Sequence, residues 1–529
     1  MKSATTRYTG RNKMSQNAEN TKKLNIKKPD IKGACKKISE DLVTDRPNAV
    51  EWIALAVVLL IIFTCLFYGD NFTIMLTAFQ MDDYLIKGVS IEGLGNNYFA
   101  YGLVHQIVTE IWVLPMSVIN QFHKLTSEEP WLVMWFKLLA PVLLTLCMQE
   151  MIRIGKLLEM KTERIKWMLL ILSSSVLVAL PVFHISQTDI MYTYLMLIGL
   201  EAALREDKKG FILFMALATS CKVITIFAFI PMLLIMEKRI LRCALDALIV
   251  IAVYPVENLW YKLVSKLNGV LTASNAVISQ VQAKAAETVQ TVTEAADTVS
   301  KSQDEVINGF MDHFFNKALY FEFPAIRKGY SASLLVLLMV LLCIWCYVQR
   351  KDDIKNLRYN YIYAAAVAWL IFFTMASPSP YWIVVLYPFL MLMIFMKPEC
   401  IRTGMLLQYG FTMLMFLMYV LDTGWVYGGP GNLDFLLLKG LLPEGHDSEN
   451  GPGVYRYLNN LGLPAYTNII TAICLACAIG LVVLYHYRVK VTEDISEKEE
   501  NKLMHGFAIL QIGFLWVWFA VVVFVVSRW

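Results

Sequence analysis

The stretch WMLLILSSSVLVALPVFHISQTDIMYTYLMLIGLEAAL, residues 167–204, consists of two apolar blocks separated by the short polar sequence HISQTD. The segments that flank it, RIGKLLEMKTERIK (153–166) and REDKK (205–209), are rich in lysine and arginine. An apolar helix of about 20 residues crosses the hydrocarbon of a bilayer, and basic loops remain on the cytoplasmic side. The stretch therefore predicts a membrane hairpin whose polar turn, residues 184–189, lies on the outer side.

The same pattern runs through most of the 529-residue chain, in which 57% of the residues are hydrophobic and 17% are charged. This composition is typical of a polytopic membrane protein, and no nucleic-acid-binding signature or nucleotide-binding glycine motif appears. The predicted fold is all-α, with about 13 transmembrane helices. The thirteen apolar blocks lie near 50–68, 131–150, 167–184, 188–204, 210–221, 223–237, 240–258, 332–349, 360–376, 381–396, 403–421, 467–486 and 506–527.

The distribution of basic residues predicts the orientation. Residues 1–49 contain twelve lysines and arginines and no apolar run, which indicates a basic cytoplasmic tail that can also contact anionic lipid. With thirteen crossings, the C-terminus then lies on the extracytoplasmic side. We divide the remainder into a transmembrane module, 50–400, and a C-terminal group of transmembrane helices, 401–529.

Three long segments are predicted to lie outside the membrane: 69–130, 259–331 and 422–466. In the first, YFAYGLVHQIVTEIWVLPMSVINQF (98–122) indicates amphipathic interfacial helices. We expect His105 in this stretch, and His123 directly after it, to have surface roles. In the second, apolar residues recur every three or four positions over 276–306, which predicts one long helix that packs across the outer mouth or binds a helical partner. The third is rich in Gly and Pro and is predicted to form a cap or a lid.

Four polar clusters are predicted at one outer level. The first is the carboxylate pair Asp82 and Asp83 in FQMDDYLIKG (79–88), and the second is the HISQTD turn with His184, Gln187 and Asp189. The other two are Lys222, a lone cation between two apolar blocks, and the sequence SPSPY (377–381) with Tyr381. Each alone is compatible with a solvated turn or a snorkelling lysine. Together they predict a polar cavity at the outer leaflet.

Three of these regions resemble parts of known enzymes. Residues 180–235, beginning LPVFHISQTD and including Lys222, resemble part of the GT-C glycosyltransferases, membrane enzymes that use polyprenyl-phosphate sugars. The likeness is to bacterial mannosyltransferase-like enzymes and to the first mannosyltransferase of the GPI anchor. Ser186-Gln187-Thr188-Asp189 stands where these enzymes have Gly-Gln-x-Asp. SPSPYWIVVLYPFLML (377–392) is similar to their later Ser-Pro-x-x-Tyr element, and Asp82-Asp83 matches the position of their acidic motif.

The resemblance, over about 60–397, implies a GT-C-type fold and the inverting transfer of a mannose-like hexose from a polyprenyl-phosphate donor. The acceptor would be an extracytoplasmic lipid, glycan or protein. Such a reaction needs a carboxylate that takes the proton of the acceptor hydroxyl, and cations that stabilise the departing phosphate. We expect Asp82 or Asp83 to be the base, with a preference for Asp82. The candidates for binding the donor phosphate are Lys222, Arg327 and Lys328. The candidates for binding the sugar are His184, Gln187, Asp189 and Tyr381.

The sequence is also compatible with other roles for these residues. Carboxylates are ligands for Mg²⁺ or Mn²⁺, so one of the paired aspartates could instead bind a divalent cation. A multi-pass transporter or lipid flippase would also contain a polar cavity, although transporters usually carry broken or charged helices at the middle of the membrane and matching halves. A scaffold that binds its partner through 276–306 is the third hypothesis.

Overall fold

The computed structural model describes most of the apolar part of the chain. The described residues are 49–66, 68, 74–76, 78–79, 102–125, 129–253, 255–257, 259, 320–322, 331–349, 354–376, 378–422, 424–427, 454–486, 489 and 496–526. Contacts divide the chain into Met1–Pro47 and Asn48–Trp529, and all described residues belong to the second unit. The predicted tail and the predicted helix over 276–306 lie outside the described residues.

The described residues are almost entirely helical. The helices are α1 (Ala49–Cys65), α2 (Leu103–Phe122), α3 (Pro130–Leu157), α4 (Thr162–Ser174), α5 (Val176–His184), α6 (Ile190–Leu204), α7 (Lys208–Cys221), α8 (Ile226–Met236), α9 (Ile240–Ile251), α10 (Leu334–Val348), α11 (Ile354–Met375), α12 (Leu386–Met396), α13 (Ile401–Asp422), α14 (Gly424–Tyr427), α15 (Val454–Asn460), α16 (Thr467–Leu484) and α17 (Glu497–Val526). Short 3-10 turns precede α8, α12, α13 and α16. Each of the thirteen predicted apolar blocks contains a helix, as the hydrophobic pattern requires.

The lengths of these helices identify a membrane protein. Among the described residues, five helices are long and apolar enough to cross a membrane, and a sixth span results if the bent pair α4 and α5 is counted as one. These five are Leu103–Phe122, Trp131–Leu157, Pro398–Asp422, Leu463–Leu484 and Glu497–Val525. Other apolar helices, such as α1 and α6, are shorter than 18 residues.

Several helices present apolar side chains outward. On α9, Leu241 is 75% exposed and Leu248 is 61% exposed, and on α10 Val348 is 69% exposed. In water such faces would favour aggregation. In hydrocarbon they incur no cost, because lipid chains are as apolar as leucine.

Helix α2 differs from its prediction. The stretch forms one continuous helix from Leu103 to Phe122, although Pro115 lies inside it. Its buried face carries polar residues, including His105, Gln106 and Thr109, while Phe122 on another face is 88% exposed. The helix therefore places its polar face against the protein and apolar side chains outward. This inverts the usual pattern of a soluble protein and suits a lipid-facing helix.

One end of the bundle, which we call the basic end, is held by cations that bind helix C-termini. The Arg358 guanidinium donates hydrogen bonds to the carbonyls of Leu157 and Leu204, the last residues of α3 and α6. Lys238 binds the carbonyls of Cys346 and Tyr347 near the end of α10, at 2.8 and 2.9 Å. A helix leaves its last carbonyls unpaired and carries partial negative charge there, so a cation satisfies both requirements.

Ion pairs join the remaining elements at the basic end. Arg164 at the start of α4 forms a bidentate pair with Glu500 of α17, at 2.9 and 3.0 Å. Lys208 at the start of α7 binds both Glu237 (2.9 Å) and Asp246 (2.6 Å), which links α7 to α8 and α9. The basic loops of the sequence thus serve as connectors between helices.

Among the described residues, one pair of short antiparallel strands departs from the predicted all-α fold. Tyr320–Glu322 pairs antiparallel with Ser331–Ser333, with Phe321 opposite Ala332. The second strand leads directly into α10, whose first turn is capped by the Ser333 hydroxyl, the acceptor for the N–H of Val336 at 3.4 Å. The three-residue strands are too short for the alternating pattern that predicts a strand.

The ion pair at Glu237 should make the basic end sensitive to acid. The Lys208 hydrogen bond, with the backbone N–H of Arg239, lowers the pKa of Glu237 from 4.5 to about 2. The depressed pKa stabilises the folded protein above about pH 4.5, and this contribution is lost as the pH falls towards 2. We expect Glu237→Gln to cost at most about 1 kcal/mol at pH 7, because Lys208 is partly exposed.

Thermal unfolding of both proteins in detergent at pH 7 and pH 3 tests this expectation. The difference between the native protein and Glu237→Gln should narrow at pH 3. The exposed residue Glu163 provides the control, since Glu163→Gln should change the midpoint little at either pH. A difference that is the same at both pH values would contradict the assignment.

Candidate functional site

The polar turn 184–189 is formed by a broken helix. Helices α4 and α5 meet at Ser175 with a bend of 67°, and the last turn of α5, Leu180–His184, is π-helical. Beyond it Ser186 has a φ of 59°, in the left-handed region that glycine adopts most readily. This is the position at which the GT-C pattern has glycine. The turn is closed by the Gln187 N–H, which donates to the Pro181 carbonyl at 2.8 Å.

The turn is buried in the protein. His184, Gln187, Thr188 and Asp189 are 0% exposed. The sequence predicted an outer loop between two crossings, and the structure instead packs this loop inside the bundle. Buried polar groups need partners, so the contacts of this turn define the site.

An ion pair lies at its centre. Lys222 Nζ is 2.7 Å from Asp189 Oδ1, and Gln187 Nε2 donates to Asp189 Oδ2 at 2.8 Å. The Lys222 side chain is 9% exposed and that of Asp189 is 0% exposed. Lys222 itself has an extended backbone between α7 and the 3-10 turn Val223–Thr225. The structure thus brings together three of the residues that the sequence placed in one cavity.

Aromatic rings surround the cation. Lys222 Nζ lies 3.5 Å from the centroid of the Trp382 ring and 6.0 Å from that of Tyr192. Trp382 is in the 3-10 turn Pro380–Val385, next to Tyr381, whose ring centroid is 6.4 Å from that of Tyr68. The negative face of an indole stabilises a cation that has lost water. Sequence reasoning selected Tyr381 and missed Trp382, although its position beside Tyr381 in the SPSPYW motif was visible.

Tyr192 is a second residue that the sequence did not reveal. It is 1% exposed, and its hydroxyl has no hydrogen-bond partner among the described residues. It lies three residues after Asp189, on the first turn of α6, so both side chains point to the same side of the helix. A buried hydroxyl of this kind is suited to binding a polar group of a ligand.

His105 corrects the surface role that the amphipathic pattern suggested. It is 1% exposed, and its Nε2 lies 2.7 Å from Thr188 Oγ1 in the polar turn. The surface prediction assumed that the polar face of the helix meets water, whereas this face is turned towards the protein. His123, by contrast, is exposed, as predicted.

The first turn of α2 also fixes the position of Lys222. The Gly102 N–H donates to the Cys221 carbonyl at 3.2 Å, and the Val104 N–H donates to Ser220 Oγ at 3.2 Å. Ser220 in turn donates to the buried carboxylate of Glu257. A Cβ at residue 102 would collide with the Ser220 carbonyl oxygen, so glycine permits this close approach.

Lys137 of α3 is a further buried cation, 3% exposed. Its ammonium donates to the carbonyls of Phe63 and Leu66, at the C-terminal end of α1. It therefore fixes the point at which the chain leaves α1 for the segment with Asp82 and Asp83. This role was not predictable from the sequence, because Lys137 is a single charge inside an apolar block.

Four predicted site residues, Asp82, Asp83, Arg327 and Lys328, lie outside the described residues. No group of three His, Cys, Asp or Glu side chains that could hold a metal ion occurs in the described part of the chain. The Mg²⁺ or Mn²⁺ prediction concerned Asp82 and Asp83 and stays a prediction. Around the polar turn, the described residues provide the Asp189–Lys222 ion pair, the Glu257 carboxylate, amides, hydroxyls, imidazoles and aromatic faces.

Comparison with known proteins adds no relative. No family model, curated protein or solved structure matches the chain.

The Asp189–Lys222 pair should be energetically coupled. Breaking a buried pair leaves one charge without its partner and typically costs about 3–5 kcal/mol, whereas removing both charges costs less than the sum. We expect Lys222→Met and Asp189→Asn each to lower the unfolding midpoint strongly, and the double variant to recover part of the loss. Chemical unfolding in detergent gives the unfolding midpoint of the native protein, the two single variants and the double variant. Additive losses in the double variant would contradict the coupling.

Proposed function

We propose that the protein is a polytopic membrane glycosyltransferase. It transfers a mannose-like hexose from a polyprenyl-phosphate donor to an extracytoplasmic acceptor, with inversion at the anomeric carbon. The observation that carries the proposal is the buried Asp189–Lys222 pair against Trp382, at the meeting point of broken helices. The ammonium of Lys222 is held here by the Asp189 carboxylate and by the Trp382 ring.

The departing phosphate is the group that most needs stabilisation. A fixed ammonium in a site with little water stabilises developing negative charge far more than it would in bulk solvent. Asp189 and Trp382 hold Lys222 in place before the donor arrives. In the proposal, Arg327 and Lys328 supply the additional positive charge that a phosphate requires.

The sugar would bind among the neighbouring hydroxyl and amide groups. Gln187 and Asp189 offer an amide and a carboxylate oxygen, Tyr192 a hydroxyl and Tyr381 an aromatic side chain. Saccharides present many hydroxyls, and a site built to hydrogen-bond such groups discriminates strongly in favour of ligands that carry them. His184 belongs to the same turn, and His105 holds that turn through Thr188.

The proposed base comes from the segment between α1 and α2. That segment begins where Lys137 binds the end of α1, continues at Tyr68 against Tyr381, and ends where Gly102 binds Cys221. The first end is therefore bonded to α3, and the second to Cys221, the neighbour of Lys222. Asp82 or Asp83 would take the proton of the acceptor hydroxyl while the oxygen of that hydroxyl bonds to the anomeric carbon and the bond to the phosphate oxygen breaks.

The proposal includes a topology. Thirteen crossings with a cytoplasmic N-terminus place the basic end in the cytoplasm and the polar turn and the C-terminus on the extracytoplasmic side. The enrichment of Lys and Arg at one end, where Arg358 and Lys238 bind helix C-termini, supports this orientation.

Cysteine labelling in intact cells tests the orientation. Asn459→Cys on α15 and Glu163→Cys at the start of α4 both place an exposed thiol, at opposite predicted sides. We expect a membrane-impermeant maleimide to label Asn459→Cys in intact cells and Glu163→Cys only after permeabilisation. Both variants are made in a Cys35→Ser background, and that background alone is the control, since the described cysteines are buried or half-buried. The reverse labelling pattern would require the opposite orientation.

The activity itself can be measured with purified protein in liposomes. A short-chain polyprenyl-phosphate mannose with a radiolabelled sugar is the donor, and an envelope lipid extract is the source of acceptors. We expect Asp82→Asn or Asp83→Asn to reduce transfer by about 10²–10⁴-fold, as loss of a general base does. Asp422→Asn, an exposed carboxylate at the end of α13, is the matched control and should retain activity. Full transfer by both loop variants would contradict the mechanism.

A transporter or flippase is the second candidate, and specific features favour it. The chain breaks at Ser175 and again at Lys222, and a buried ion pair lies beside the second break. Discontinuous helices and intramembrane charges are common in transporters. The same liposomes distinguish the two functions, because a transporter moves the labelled donor across the bilayer without forming a new glycoside.

A further inference from the structure

A second polar region lies at the break between α4 and α5, away from the ion pair. Ser174 at the end of α4 donates to Gln511 Oε1 of α17 at 2.6 Å. On the neighbouring helices, the Tyr387 hydroxyl is 2.7 Å from Thr412 Oγ1, and Gln408 Nε2 donates to the same oxygen at 2.8 Å. The Ser175 side chain lies near the Tyr387 hydroxyl. We call these six residues the break cluster.

The break cluster is fully enclosed and electrically neutral. Its side chains are 0–1% exposed, and none of them carries a formal charge. Ser174 is the last residue of α4, about 18 Å from the first at 1.5 Å per residue. In the proposed topology the cluster is therefore close to the middle of a bilayer about 30 Å thick. Polar groups at this depth are costly unless each one is hydrogen-bonded.

Two amide atoms of the cluster, Gln408 Oε1 and Gln511 Nε2, are buried and have no hydrogen-bond partner among the described residues. The third polar group is the buried Ser175 hydroxyl, whose neighbour is the Tyr387 hydroxyl. One is an amide acceptor, one an amide donor and one a hydroxyl that serves as either. These groups lie at a helix break, and sharp helix kinks often occur where a side chain or a water molecule inserts between backbone hydrogen-bonding groups.

We propose that the break cluster is a binding site for water within the membrane-embedded core. The ligand must both accept from an amide N–H and donate to an amide oxygen, and water does both, whereas a monovalent cation would only be coordinated by acceptors. Buried waters typically make about three hydrogen bonds to groups of this kind. The site is separate from the proposed sugar site and does not depend on it.

The location gives this water a structural role. Helix α5 connects the break directly to His184 and the polar turn, so Ser175 is the base of the segment that carries Asp189. In the proposal, the water takes the place of the hydrogen bonds that the cluster leaves unmade, and so stabilises the bend at which α5 begins.

Hydroxyl-radical footprinting by a short X-ray pulse tests the site, because it oxidises buried residues where water is bound beside them. The full-length protein in lipid nanodiscs is used. Tyr387 and Tyr485 are both 0% exposed, but the Tyr485 hydroxyl donates to the Cys400 carbonyl at 3.2 Å, away from the break cluster. We expect Tyr387 to be oxidised several-fold faster than Tyr485. Equal rates in the native protein would overturn the proposal, without need of any variant.

Variants of the break cluster and exchange of the salt test whether the oxidation of Tyr387 comes from water bound there. Gln408→Leu and Gln511→Leu each remove polar groups of the break cluster, so Tyr387 oxidation should fall towards the Tyr485 rate. Gln349→Leu at the basic end is the matched control and should leave the Tyr387 rate unchanged. Oxidation of Tyr387 that changes when sodium is replaced by choline would identify a cation site and refute water as the ligand. Oxidation that is unchanged by the salt and reduced by both cluster variants supports the proposal.

Discussion

The structure is governed by the cost of polar groups in an apolar bundle. Wherever a helix stops or breaks, its peptide groups lose their partners, and no bulk water is present to replace them. The protein meets this requirement with cations at the basic end, where Arg358 and Lys238 bind exposed helix carbonyls. At the other end Lys137 performs the same task for α1. Lys222 is different, since its partner is a carboxylate and an indole face, and this difference marks the site.

The sequence predicted the helices well because lipid requires long apolar runs, and such runs are easy to detect. All thirteen blocks contain helix, and Gln187, Asp189 and Lys222, which the sequence grouped in one cavity, are in contact. The orientation of individual faces was harder to predict. An amphipathic helix places its polar face towards water in most settings, but α2 places His105 against Thr188 inside the protein. Hydrophobic periodicity defines two faces and does not say which of them meets the protein.

Lys137, Tyr192 and the break cluster were missed for a related reason. Each is a single polar residue, or a few, in an apolar block, where the composition predicts a crossing and nothing more. Their significance depends on what they contact, such as the carbonyls of Phe63 and Leu66 or the side chain of Gln511, and these partners are distant in sequence. Ser186 differs from these residues, because its left-handed backbone occurs where the enzymes that the sequence resembles have glycine.

Charge balance connects the described site to the residues beyond it. Asp189 already neutralises Lys222, so a donor phosphate bound there would meet no net positive charge from the pair. A phosphate oxygen about 5 Å from Asp189 would be repelled by about 3 kcal/mol at an effective dielectric constant of 20. An anionic donor therefore requires further cations, and Arg327 and Lys328 fall in sequence between the two strands that precede α10. A neutral substrate would not need them. The dependence of substrate binding on these two residues consequently separates a phosphate-using enzyme from a carrier of neutral molecules.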